Sequence, residues 1–97
     1  MPYQNLQDQV RQYDKRMGWR DPSDHIVLHM AEELGEIARN TLREKRYKKE
    51  KFISDELGQE ICDLLYLTLK LANNQDIDLN RQWDMMFSRY ESKKSRS

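Results

Sequence analysis

Residues 55–73 constrain the fold more than any other stretch, because they join an apolar helix to three carboxylates. Leu57, Ile61, Leu64, Leu65, Leu67, Leu69, Leu71 and Ala72 cover most of the circumference of a helical wheel. A helix that is apolar nearly all round is buried on several sides. Glu56, Glu60 and Asp63 fall within about 60° of one another on the same wheel. Sinking carboxylates into such surroundings costs heavily unless they are paired or coordinate a metal.

A second acidic pair precedes this one. Glu33 and Glu36 lie one turn apart in Glu32-Glu33-Leu34-Gly35-Glu36. Asp21-Pro22-Ser23-Asp24 starts their helix, with Asp21 or Ser23 as the cap and Pro22 in the first turn. The helix is expected to run through His25 to about Leu42, with Val27, Met30, Leu34, Ile37, Ala38 and Thr41 as its core face. Glu33 flanks that face and Glu36 lies farther toward solvent. Gly35 in mid-helix costs about 1 kcal/mol relative to Ala, which close approach of a neighbour would explain. Four acids, Glu33, Glu36, Glu60 and Asp63, on two packed helices repel unless a cation sits between them. A hard divalent ion with oxygen ligands meets that need, and Mg²⁺ commonly brings a phosphorylated substrate. Glu56 competes with Glu60 and Asp63 as a ligand.

The remaining chain reads as two more helices and their connections. Leu6, Val10, Tyr13 and Met17 space an amphipathic helix over 3–17, which Gly18 ends. Trp19 follows, as an apolar plug or as a wall for a base to stack on. Residues 43–54 lose periodicity and turn basic, and Ser54 or Asp55 caps the third long helix. This basic stretch is a solvated connection or a set of phosphate contacts. Asn73 to Asp76 is a turn, and Asp78 caps a last helix over 78–90. Residues 92–97 are expected to be a disordered basic tail. The expected fold is all-α: four helices in an antiparallel, bundle-like subunit spanning residues 1–91. No strand pattern and no Gly-rich phosphate loop is present.

With 97 residues, of which 37% are hydrophobic, a lone subunit has a thin core. A homodimer or homotetramer is therefore expected to complete it. The net charge is zero, which argues against a nucleic-acid-coating protein. Cys62 is the only cysteine, so no internal disulfide forms; it reads as a buried structural thiol in an intracellular protein. No leader and no membrane span is expected, because the longest apolar run, Ile61 to Ala72, is broken by Asp63, Thr68 and Lys70. A cytoplasmic location follows. His25, His29 and Glu33 are spaced for a transition metal, but neither His follows a Glu by three as carboxylate-bridged iron bundles require.

Glu33-x-x-Glu36, 23 residues, then Glu60-x-x-Asp63 resembles the E-x-x-E…E-x-x-D signature of the MazG-like nucleotide pyrophosphohydrolases. Met30 to Ala38 is similar to that family's first acidic helix. Glu60 to Tyr66, with Leu71-Ala72 and Ile77-Asp78-Leu79, is similar to its second, and Gly18-Trp19 is a common family feature. The resemblance spans roughly residues 3–90. It implies an all-α, oligomeric, Mg²⁺-dependent enzyme, with Mn²⁺ a possible substitute, that hydrolyses a nucleoside triphosphate to a monophosphate and pyrophosphate. A house-cleaning role on non-standard nucleotides is one form of that activity. The resemblance makes Glu33, Glu36, Glu60 and Asp63 the metal ligands. Glu36 is the candidate general base, and Trp19 with Lys45, Arg46, Lys48 and Lys49 are the candidate substrate contacts. The Lys and Asn that many relatives carry on the last helix are missing from Trp83 to Tyr90, which leaves phosphate contacts to Arg89, to residues 45–49 or to a partner subunit. The rival reading is a non-catalytic helical module whose acids form a docking face.

Overall fold

A computed structural model describes residues 2–46 and 51–96, with the side chains of 5–42 and 55–94. It contains four helices: α1 (Pro2–Met17), α2 (Ser23–Arg46), α3 (Lys51–Asn74) and α4 (Leu79–Arg96). No strand occurs among the described residues. The expected all-α architecture is the one observed. The register is antiparallel. Asn40 meets Glu60 across the α2–α3 seam, while Ile26 faces Leu67 and Lys70 at its other end. On the opposite flank Gln7 meets Asn73 and Asp14 meets Tyr66, so α1 also runs against α3.

Two matching turns set the helix ends. Gly18, at φ 71°, closes α1, with its N–H on the Lys15 carbonyl and that of Trp19 on Asp14. This is a Schellman arrangement, which needs a left-handed residue just past the helix. Asp76, at φ 56°, takes that place after α3, and the N–H of Ile77 reaches the Ala72 carbonyl. Asp78 caps α4 as expected, its Oδ1 accepting from the Asn80 N–H at 2.9 Å.

Several helix limits differ from the sequence reading. α2 runs to Arg46 rather than Leu42, α3 starts at Lys51 rather than 55, and α4 continues to Arg96 past the expected tail boundary at Ser92. Apolar periodicity stops where packing stops, but Lys, Arg and Glu propagate a formed helix at little cost. Neither Asp21 nor Ser23 caps α2. The Asp21 carboxylate is drawn to Lys70, and Ser23 Oγ accepts from Gln75 Nε2. The inward face of α2 is Ile26, Met30, Glu33, Ile37 and Asn40, whereas Val27, Leu34, Ala38 and Thr41 point outward. Two polar residues, Glu33 and Asn40, displace apolar ones from the seam. Cys62 is exposed rather than buried, because it sits on the outer stripe of α3 beside Ile61 and Leu65, which are also exposed.

The buried apolar core is small: Val10, Ile26, Leu67, Leu69 and Ala72. A polar clasp ties α1 to the α3–α4 turn beside it. Buried Gln7 donates through Nε2 to Asn73 Oδ1 and the Ile77 carbonyl and accepts from the Leu79 N–H. Replacing it leaves the Ile77 carbonyl and the Leu79 N–H without that partner, while Asn73 Oδ1 keeps Arg11, so Gln7→Ala is expected to cost roughly 2 kcal/mol or more in urea denaturation. Among the described residues no other element approaches Gly35: an added Cβ meets nothing within 4 Å outside its own helix backbone. Gly35→Ala is therefore expected to raise stability by about 0.5–1 kcal/mol. A loss of stability instead would mean that a second subunit packs closely there.

Candidate active site

The α2–α3 seam brings the two acidic pairs together. Glu33, on α2, is turned inward with 15% of its side chain exposed. Burial raises its carboxyl above the ordinary value of 4.5, and the negative fields of Glu36, Asp63 and Glu60 add to the effect. All four predicted carboxylates thus share one neighbourhood. His29 Nε2 lies 3.5 Å from Glu33 Oε1, and Asn40 Nδ2 donates to Glu60 Oε1 at 2.5 Å. The other oxygen of each acid is buried and has no hydrogen-bond partner among the described residues. Glu36 and Asp63 stand at the rim, exposed, with Arg39 4.0 Å from Glu36. Glu56 is also exposed.

A buried carboxylate oxygen with nothing to accept from costs a few kcal/mol. Two of them on facing helices fit a hard cation, as does a donor set made only of carboxylate oxygens. Among the described residues, no three His, Cys, Asp or Glu side chains are gathered closely enough to hold an ion as they stand. Like charge on the two helices opposes such a gathering.

An open groove of 460 Å³ runs along the seam from these acids. Glu33 and Asp63 line one end, His25, His29, Ile26, Tyr66 and Leu67 its length, and Trp19, Asp21 and Lys70 the other end. Trp19 is half-exposed, as a stacking wall requires. Lys45 and Arg46 sit on the last turn of α2 with side chains outside the described residues, and Lys48 and Lys49 lie wholly outside them. Arg89, on α4, does not line the groove.

Lys70 is the site residue that sequence reasoning missed. Only 6% of its side chain is exposed, with Nζ 2.5 Å from Asp21 Oδ2 and 3.8 Å from Asp14 Oδ1. The hydrogen bond and charge of Lys70 hold the Asp21 carboxyl below its usual range. The Tyr66 hydroxyl donates to Asp14 Oδ1, and burial together with that bond pushes its ionisation up. A lone Lys in an apolar run was the available signal.

The phosphoribosyl-ATP pyrophosphohydrolase family profile matches residues 4–89, which include both acidic pairs and the groove. The chain belongs to this family. Phosphoribosyl-ATP pyrophosphohydrolases are hydrolases acting on acid anhydrides, and their family lies within the all-α nucleoside triphosphate pyrophosphatase superfamily. The resemblance to MazG-like enzymes holds at the level of that superfamily. No curated protein and no solved structure gives a significant match. No helix is long and apolar enough to cross a membrane among the described residues.

The position of Glu33 has a measurable consequence. Its folded carboxyl titrates above its unfolded one, so its stabilising protonation is complete below about pH 4.5 and lost as the pH rises through the raised value. In chelator, Glu33→Gln should therefore gain stability relative to the parent across that rise, read by thermal melts at stepped pH. Parallel curves for the two proteins would remove Glu33 from the buried end of the groove.

Proposed function

We propose that the chain is a divalent-cation-dependent hydrolase that splits a nucleoside triphosphate into a monophosphate and pyrophosphate. The buried, unpartnered Oε2 atoms of Glu33 and Glu60 on facing helices carry this reading. Membership of a pyrophosphohydrolase family supports it. A docking face is the weaker rival, because a protein partner cannot reach oxygens that are already buried.

Glu33, Glu36, Glu60 and Asp63 would hold the ion, Mg²⁺ by preference or Mn²⁺. When bound, it neutralises phosphate oxygens and acidifies water. Asn40 and His29 orient Glu60 and Glu33 through the bonds described above. Glu36, exposed at the rim, would take a proton from a water molecule attacking the α-phosphorus. The bridging oxygen to the β-phosphorus then leaves with pyrophosphate. Trp19 offers a face for the base, and Lys45, Arg46, Lys48 and Lys49 are the candidate phosphate contacts.

A homo-oligomer belongs to the same proposal. Val27, Leu28, Leu34, Ile61 and Leu65 are exposed on the two site-bearing helices, and Trp83 and Phe87 on α4. The small core gives this surface a use in burying a second copy.

A second reading, phosphoribosyl-ATP as the substrate, follows from the name of the matched family. It keeps the same cleavage and changes only what lies beyond the triphosphate. One panel decides between the two: pyrophosphate release from standard and modified nucleoside triphosphates and from phosphoribosyl-ATP, with Mg²⁺ and with chelator. Metal-dependent pyrophosphate with a monophosphate is expected, and Glu36→Gln should lower kcat by about 10²–10⁴-fold. Orthophosphate with a diphosphate, or turnover that ignores chelation, would sink the reading.

A further inference from the structure

The groove end opposite the acids carries a cluster that hydrolysis itself does not use. Trp19, Asp21 and Lys70 meet there. Lys70 Nζ lies 5.8 Å from the centre of the Trp19 ring as well as on Asp21 Oδ2. A buried cation is tolerated only when its charge is met, so Lys70 fixes where Asp21 stands. Its own donors turn inward, to Asp21 and Asp14. Asp21 keeps 54% of its side chain exposed, and its Oδ1 makes no hydrogen bond among the described residues.

We infer that this end is a base-recognition subsite, in which Trp19 stacks the base and Asp21 Oδ1 accepts a hydrogen bond from an exocyclic amino group. The inference rests on the nucleotide reading of the groove. Asp21 stays ionised because Lys70 holds its carboxyl low, and an ionised carboxylate only accepts. Cytosine and adenine present an amino donor where uracil and hypoxanthine present a carbonyl oxygen, and two acceptors facing each other repel. Stacking alone tolerates every base, so Asp21 supplies the choice and Lys70 is its positioning residue. The geometry is consistent in length. Ser23, next to this end, and Glu33 are ten residues apart on α2, a rise of about 15 Å, which suits an extended nucleotide with its phosphates at the acids.

The test separates binding from turnover. The chain has two tryptophans, so a Trp83→Phe protein reports on Trp19 alone. Its fluorescence is titrated in chelator with CMP, UMP, AMP and IMP. CMP and AMP should quench with Kd about tenfold or more below UMP and IMP, respectively, as a hydrogen bond to a charged group implies. Asp21→Asn, which keeps the shape, should bring each ratio close to one, and Lys70→Met should shrink it. Where Lys70→Met fails to fold by circular dichroism, Asp21→Asn decides. Equal Kd within each pair, no quenching by any monophosphate, or a preference retained in folded Asp21→Asn overturns the subsite. Base preference in a protein that releases no pyrophosphate supports the subsite and counts against the hydrolysis instead.

Discussion

Uncompensated negative charge at the α2–α3 seam is the constraint on which the rest of the structure depends. Glu33 and Glu60 occupy positions where a small helical protein ordinarily places Leu or Ile, and each leaves one oxygen without a partner. Removing a carboxylate from water is among the costliest substitutions a core can hold. The seam answers only in part, through Asn40 on Glu60 and His29 on Glu33. The raised titration of Glu33 is the same cost expressed as proton affinity. With five buried apolar residues among those described, little packing is on hand to offset such a feature. A cost of this kind in so small a core points to use rather than to packing.

The other end of the groove solves the same problem in the opposite way. Lys70 is buried more deeply than Glu33, but Asp21 and Asp14 flank it and the Tyr66 hydroxyl holds Asp14. Two carboxylates there share one buried cation, and of the three charged groups Asp21 is the one that faces solvent. The groove therefore runs from an unsatisfied anionic end to a satisfied polar one. Asn74 and Gln75 add two further bonds at this end, to the Asp21 carbonyl and the Ser23 hydroxyl.

Sequence periodicity made the four helices and their order legible, and the spacing of acids made the site legible. What it missed has physical reasons. Helix ends slipped at Arg43–Arg46 and at Lys51–Ser54 because charged residues carry a helix beyond the point where a core is needed. Hydrophobicity alone sets the inward face of α2 one position away, on Val27 and Leu34. The structure turns Glu33 and Asn40 inward instead, and no local rule foretells a polar seam. Lys70 was read only as a break in an apolar run. Its partners lie 49 and 56 residues away, so nothing adjacent announced that the cation would be buried.

On the hydrolytic reading, the charge gradient bears on how a polyanionic substrate enters. A triphosphate approaching the acid end alone meets four carboxylates at short range, and in a partly buried groove that repulsion is barely screened. A divalent cation reverses the sign of the encounter, since it is drawn to the acids and in turn draws the phosphates. On the hydrolytic reading, cation and nucleotide each raise the affinity of the site for the other, by a common factor that linkage requires. The base end needs no such help, because a base is uncharged and Lys70 already offsets one of the two carboxylates there. Phosphate chemistry and base choice are thereby separated along one seam. On that reading the acids carry the chemistry, and Trp19, Asp21 and Lys70 can set what is hydrolysed without disturbing how.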